Sequence, residues 1–271
     1  VSANRERNDG KPRWDPSRAK GQKRFHGRPG RASEADGKDW VWGVHAVEAA
    51  LANPARGEVR RLLATQERAR KYEGRKGLEI FDAGDIARQL PAGAVHQGLA
   101  LKIDPPEPLS IEEIGAEPSG LLVMLDQITD PQNVGAIFRS AAAFGARGVI
   151  LQDRHAPPLS GALAKASAGA IDKLPHAVAV NLSRALERLA DLGWRAVGLD
   201  GAAKASLEQA LDERPTVLVL GSEGEGVRRL VAEHCDAMAR IPMPGGFESL
   251  NVSNAAAIAL YEAARLNERR R

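Results

Sequence analysis

Cysteine is almost absent: Cys235 is the only one in 271 residues. A lone thiol excludes an internal disulfide framework and any multi-cysteine zinc site, and it reads as a reduced packing residue. Long apolar runs are missing too. No stretch approaches the roughly 20 residues that a membrane-spanning helix needs, and the first residues carry no signal-peptide core, so a soluble cytoplasmic protein is expected. The six histidines (His26, His45, His96, His155, His176, His234) lack metal-ligand spacing, and no metal is expected.

Residues 1–38 have almost no aliphatic side chains. They hold eleven Lys/Arg against five acids, a balance of +6 that leaves −3 for the rest of a chain whose net charge is +3. With so little apolar surface to bury, the segment cannot offset the entropy of ordering, and a disordered basic arm is expected. Its charge suits sequence-independent attraction to phosphates; a solvated tail is the plainer alternative.

From Trp40 the pattern changes to short apolar segments. Strands are expected at 40–43, 59–65, 77–81 and 95–103, with helices at 45–51 and 83–90, a small α/β unit over 39–103. Asp104-Pro-Pro-Glu-Pro108 then interrupts regular structure, because proline lacks an N–H and restrains the residue before it, and 104–119 reads as a Pro-rich linker. Beyond it, strands of near-continuous Val, Leu and Ile alternate with amphipathic helices to the end of the chain. Such alternation implies a largely parallel sheet covered on both faces, with ligands outside the carboxyl ends of its strands.

Polar and glycine residues concentrate at three strand-to-helix turns: Asp126–Ser140 ("DQITDPQNVGAIFRS"), Gly221–Gly226 ("GSEGEG") and Ile241–Asn251 ("IPMPGGFESLN"). The glycine turn matches neither a dinucleotide fingerprint nor a P-loop, and Glu223 and Glu225 would repel a pyrophosphate. A cationic ligand such as a sulfonium suits it better, and a simple tight turn explains it equally well. Arg139 lies in an otherwise apolar helix, where a guanidinium either finds an acid or phosphate or snorkels to solvent.

Together and in this order, "DPQNVGAIFRSAAAFGA", "VLVLGSEGEGV" and "IPMPGGFESLNVSNAAAIALYEA" resemble the three motifs of the SpoU-type (TrmH-like) RNA ribose 2′-O-methyltransferases, over residues 120–271. "WGVHAVEAAL", "HQGLAL" and "HAPPLSGALAKASAGAIDKLP" are similar to the subgroup that methylates a guanosine of bacterial 23S rRNA. The resemblance implies an α/β SPOUT methyltransferase domain with a C-terminal trefoil knot, preceded by a small L30e-like RNA-binding domain. It also implies S-adenosyl-L-methionine as cofactor, RNA as substrate and a homodimer with active sites at the subunit interface. By motif position, Gly221, Ile241 and Leu250 match the cofactor-binding places, and Asn133, Arg139, Glu223, Ser249 and Asn251 the catalytic set. Asn254 stands where the family often has an apolar residue, and Phe247-Glu248 makes a bulkier, acidic approach to Ser249.

The chemistry suits these residue types. Methyl transfer to a ribose hydroxyl needs in-line alignment and removal of a proton. Arginine, with a pKa above about 12, is better suited to stabilise a developing alkoxide or hold a phosphate than to act as base. Glu223 would orient Arg139 or a partner-chain group, or is a loop acid; Ser249 and Asn251 would position substrate, or cap the last helix. A tRNA 2′-O-methyltransferase of the same family and a non-catalytic knotted RNA-binding protein are the alternatives. A dehydrogenase would need a glycine fingerprint with an acid about 20 residues on, and the chain has none.

Overall fold

The computed structural model describes residues 39–245 and 249–268. The basic arm expected over 1–38, and Phe247-Glu248, lie outside the described residues.

The first part of the chain runs β1 (Trp40–Trp42), α1 (Val44–Ala52), β2 (Arg61–Ala64), α2 (Gln66–Ala69), β3 (Leu78–Ile80), α3 (Ala83–Ala87) and β4 (Leu99–Lys102). Its sheet has the order β1-β4-β2-β3, antiparallel except for β2 with β3. Because strand side chains alternate in direction, Val41, Leu62, Ala64, Leu99 and Leu101 join Ala46, Val47 and Ala50 of α1 in one core, whereas Trp40, Trp42, Leu63 and Ala100 join Ile86 and Leu90 in another. The closing strand begins at Leu99, not at 95 as the apolar pattern predicts. Gln97 (φ 55) and Gly98 (φ 79) adopt left-handed backbone that no strand accommodates.

Within 104–119 the chain forms α4 (Ile111–Gly115), started by a reciprocal capping box between Ser110 and Glu113. The Ser110-x-x-Glu113 signature is visible in the sequence. The indole N–H of Trp194 donates to the Gly115 carbonyl (2.9 Å), so the segment is tied to the body of the protein.

There follow β5 (Leu121–Leu125), α5 (Pro131–Ala143), β6 (Gly148–Gln152), α6 (Gly161–Ala166), β7 (His176–Ala179), α7 (Leu182–Asp191), β8 (Arg195–Leu199), β9 (Ala205–Ser206), α8 (Leu207–Ala210), β10 (Thr216–Leu220), α9 (Arg229–Ala232), β11 (Ala237–Arg240) and α10 (Val252–Glu268). The seven strands are all parallel, in the order β7-β6-β5-β10-β8-β11-β9. Val123, Leu125, Val149, Leu151, Leu218 and Leu220 pack with α5, α6 and α10; Leu122, Met124, Ile150, Val217 and Val219 pack with α4 and α7. Both faces are therefore covered, as the unbroken apolar strands required.

Strand order decides where the site lies. From β5 the chain moves to β6 and β7 on one side, whereas β10 lies on the other side of β5 and leads away toward β11. Connections that leave neighbouring strands in opposite directions open a crevice at the carboxyl ends of β5 and β10. Among the described residues no helix is long and apolar enough to cross a membrane.

Candidate active site

The β5 loop enters α5 through Asp130, whose carboxylate accepts from the Gln132 N–H (3.0 Å), with Pro131 in the first helical position. This cap fixes Asn133 in the first turn, beside the crevice. After β10 the chain turns sharply: the Gly226 N–H donates to the Ser222 carbonyl (3.0 Å), and Gly224 and Gly226 have φ of 93° and 67°. A Cβ on Gly221 would run into the Gly226 backbone, so only glycine fits there. The turn holds Glu223 above the strand ends.

Asn251 brings in the third motif. Its Oδ1 caps α10, accepting from the N–H groups of Ser253 (3.0 Å) and Asn254 (3.4 Å) and from the Ser253 hydroxyl (2.6 Å). Its amide nitrogen donates to Glu223 Oε1 (2.7 Å) and to Asn133 Oδ1 (3.0 Å). Glu223 Oε1 accepts also from Asn133 Nδ2 (3.2 Å) and from the Val252 N–H (3.2 Å). Three residues separated by up to 118 positions close a triangle, with one carboxylate at the start of a helix, where the macrodipole favours negative charge. Glu223 Oε2 has no protein partner among the described residues and is free to accept from a ligand.

The other predicted site residues lie outside that triangle. Arg139, nearly two turns into α5, is exposed and has no ion-pair or hydrogen-bond partner among the described residues. Ser249 is exposed, likewise without a described hydrogen bond, and Leu250 is 37% exposed. Ile241, immediately after β11, packs against the core. Among the described residues the backbone groups of Gly221, Ile241 and Leu250 have no hydrogen-bond partner, at three neighbouring loop ends.

One functional feature escaped the sequence reading. Asp126, first residue after β5, is fully buried and accepts from the Arg228 backbone N–H (2.9 Å) and Nε (2.7 Å). This pair ties the β5 loop to the segment following the glycine turn and so sets the height of Glu223. An acid placed directly after an all-apolar strand was the available signal. Cys235 is half-buried, donates to the Val231 carbonyl (3.4 Å), and has its pKa pushed up to about 12, chiefly by burial and then by Asp236 and Asp126.

Known proteins resemble this chain in sequence and in fold. A tRNA/rRNA methyltransferase of Mycolicibacterium vanbaalenii, itself described as uncharacterized, is 44% identical over 197 residues, which are 70% of this chain and 62% of the relative. The chain thus matches less than two thirds of the length of such curated relatives. Among solved structures, the SpoU methyltransferase AviRb of Streptomyces viridochromogenes, in complex with its cofactor AdoMet, superposes with a TM-score of 0.73 at 27% identity, over 86% of this chain and 91% of that one. A structure described as an RNA 2′-O ribose methyltransferase gives 0.69 at 26% identity, over 86% and 91%. The sequence model that matches residues 120–261 spans all three converging loops, and the chain belongs to the SpoU rRNA Methylase family.

Proposed function

We propose that the protein is an S-adenosylmethionine-dependent RNA ribose 2′-O-methyltransferase that modifies a guanosine of 23S rRNA. The observation that carries the reading is the Asn133–Glu223–Asn251 triangle at the carboxyl ends of β5 and β10, built from all three motif loops.

The backbone groups of Gly221, Ile241 and Leu250, without partners among the described residues, fit a cofactor held by main-chain contacts, and the carboxylate of Glu223 fits one carrying positive charge. When bound, S-adenosylmethionine supplies a methyl group activated on a sulfonium sulfur. The chain's own residues do the rest. Asn133 and Asn251 each donate one amide hydrogen bond to Glu223 Oε1, leaving Oε2 to accept a hydrogen bond from the ribose hydroxyl or to orient a guanidinium. Arg139, unpaired among the described residues, stabilises the oxygen as its proton departs, or grips the neighbouring phosphate. Leu250 and Ser249 close the rim, and capping by Asn251 makes the catalytic position depend on α10 itself.

Two further features support the wider reading. In residues 39–103, Arg68, Arg70 and Arg75 are exposed without acidic partners among the described residues, whereas Arg61, Lys71 and Lys76 are paired with Glu79, Glu48 and Glu58. Unpaired guanidinium groups are available to RNA phosphates, as an L30e-like RNA-binding unit requires. On the other domain, α10 packs against α5, with Tyr261 edge-on to Phe144 at 5.8 Å, and presents Ile258 (41% exposed) and Tyr261 (55%) outward. A second copy of the chain would cover that face, so the working unit is a homodimer. Insertion of the α10 cap between the β5 and β10 loops is in keeping with a knotted C-terminal segment.

Transfer of labelled methyl to large-subunit rRNA and to tRNA, with mass-spectrometric location of 2′-O-methyl groups, tests the function. Label at a guanosine ribose of 23S rRNA, lost in Arg139→Ala with cofactor affinity unchanged, is expected. Label on tRNA alone overturns the substrate, and label on a base overturns the chemistry.

A further inference from the structure

Three stretches that the triangle does not use, "WGVHAVEAAL", "HQGLAL" and "HAPPLSGALAKASAGAIDKLP", come together between the two sheets. Gln97 is their joint: its side-chain oxygen accepts from the Val44 N–H (3.2 Å) and from Lys165 Nζ (2.7 Å). Gln97 pays for this with left-handed backbone (φ 55), unusual for a residue other than glycine. Gly43 (φ 88) lets the Lys165 stem lie against the chain, because a Cβ there would collide with the ammonium.

Beside this joint is a cleft of about 440 Å³, within the usual range of small-molecule sites, about 300–1,000 Å³. Its walls are largely apolar, including Pro91, Ala92, Pro131, Pro158 and Leu163; among the described residues Lys165 is the one charged residue lining it, and no carboxylate does. Lys165 is half-buried, has no acidic partner among the described residues, and its pKa is lowered by burial. A desolvated ammonium with a single amide partner has donors to spare. Pro131 and Gln132 of the lining are the two residues before Asn133, so the cleft opens one helical turn from the triangle.

Resting on the methyl-transfer reading above, we propose that this cleft receives the unstacked purine base of the nucleotide whose ribose is methylated, flat between the proline-lined walls with its O6/N7 edge on Lys165. Enzymes that do chemistry on a base take it out of the stack and hold it between apolar surfaces, a mode open to an enzyme that selects its nucleotide by the base, and lysine is a common partner of the guanine O6/N7 edge. A phosphate would gain little from such walls. The ribose of a base seated here lies toward Asn133.

The test pairs cross-linking with kinetics. Large-subunit rRNA carrying 6-thioguanosine, which places sulfur at the O6 position, is irradiated with the full-length protein and the cross-linked peptides are sequenced. Adducts in segments 91–95 or 158–165 are expected; adducts confined elsewhere, or none, overturn the proposal. Lys165→Met and the cleft-filling Ala92→Trp, at an exposed position, are each expected to lower kcat/KM for rRNA roughly tenfold or more, with S-adenosylmethionine Kd within about twofold of the parent. Parental kcat/KM in both variants overturns it. Cross-links at the cleft without methyl transfer by the parent enzyme would sink the enzymatic reading and leave the base site standing.

Discussion

Asn251 has two functions that substitution can separate. Replacing it with alanine removes the cap of α10, worth about 1 kcal/mol. It also removes two exposed amide hydrogen bonds, to Glu223 (2.7 Å) and Asn133 (3.0 Å), each worth about 0.5 kcal/mol at the low end of the range for solvated groups. The total of about 2 kcal/mol corresponds to a Tm lowered by roughly 4–8 °C for a chain of this size. Serine caps as well as asparagine but lacks the amide donors, so Asn251→Ser is expected to recover about half of that loss. Methyl transfer is expected to remain as low in Asn251→Ser as in Asn251→Ala, because both leave Glu223 without its strongest hydrogen bond. Thermal denaturation followed by circular dichroism, alongside labelled methyl transfer, reads both effects. Equal melting temperatures for the two variants would refute the capping argument; parental activity in Asn251→Ser would refute a role for the triangle.

Gly135 lies where α5 meets α6, and a Cβ there would sit 2.6 Å from the Ala166 Cβ and 2.8 Å from the Leu163 carbonyl oxygen. Gly135→Ala gains about 1 kcal/mol of helix propensity and loses roughly 1–3 kcal/mol to overpacking against backbone that cannot yield; a lowered urea midpoint is expected, and a raised one would mean α6 moves aside. His176 is 4% exposed, and its pKa is lowered to about 4, chiefly by burial, then by Arg56, with Asp172 opposing. Between pH 6.5 and about 4 the unfolded chain therefore binds a proton that the folded chain refuses, so this contribution is complete above pH 6.5 and falls by roughly 3 kcal/mol as pH drops through that window. Urea titrations at pH 7 and pH 4.5 should show the loss, and His176→Phe should flatten it. Arg56 and Asp172 form a fully buried pair (2.5 Å) that also takes in Asn53 and the Asp104 carbonyl. Either Arg56→Met or Asp172→Leu alone is expected to cost about 3–5 kcal/mol by stranding a charge, and the double variant less than either; equal or additive losses by denaturation would contradict this.

Elements of the larger sheet were legible where the signal was local. β5 begins and ends where its apolar run does, and α5 starts at Pro131 because Asp130 caps it. Legibility failed where backbone conformation or long-range packing decided. The pattern over 95–98 looked like strand, yet Gln97 turns left-handed to serve two donors from distant segments. The proline-rich 104–119 hid α4, whose five residues are stabilised by a capping box and by packing on α7 and Trp194. Asp126 stood out as a polar residue after its strand, but its pairing could not be read because its partner Arg228 is 102 residues away.

By itself the sequence determined the class of the fold and singled out the candidate site residues. Unbroken apolar strands require a sheet covered on both faces, and glycine at 221 is required by local geometry. The three motif stretches were sufficient for the family resemblance. Only the tertiary structure decided which of those residues meet. Hydrogen bonds need heavy atoms within about 3.2 Å, and whether Asn133, Glu223 and Asn251 reach that distance depends on strand order, which places β10 beside β5. Arg139 falls on the face of α5 that packing leaves exposed, and the joining of two sheets through Gln97 and Lys165 made a cleft that no single stretch encodes.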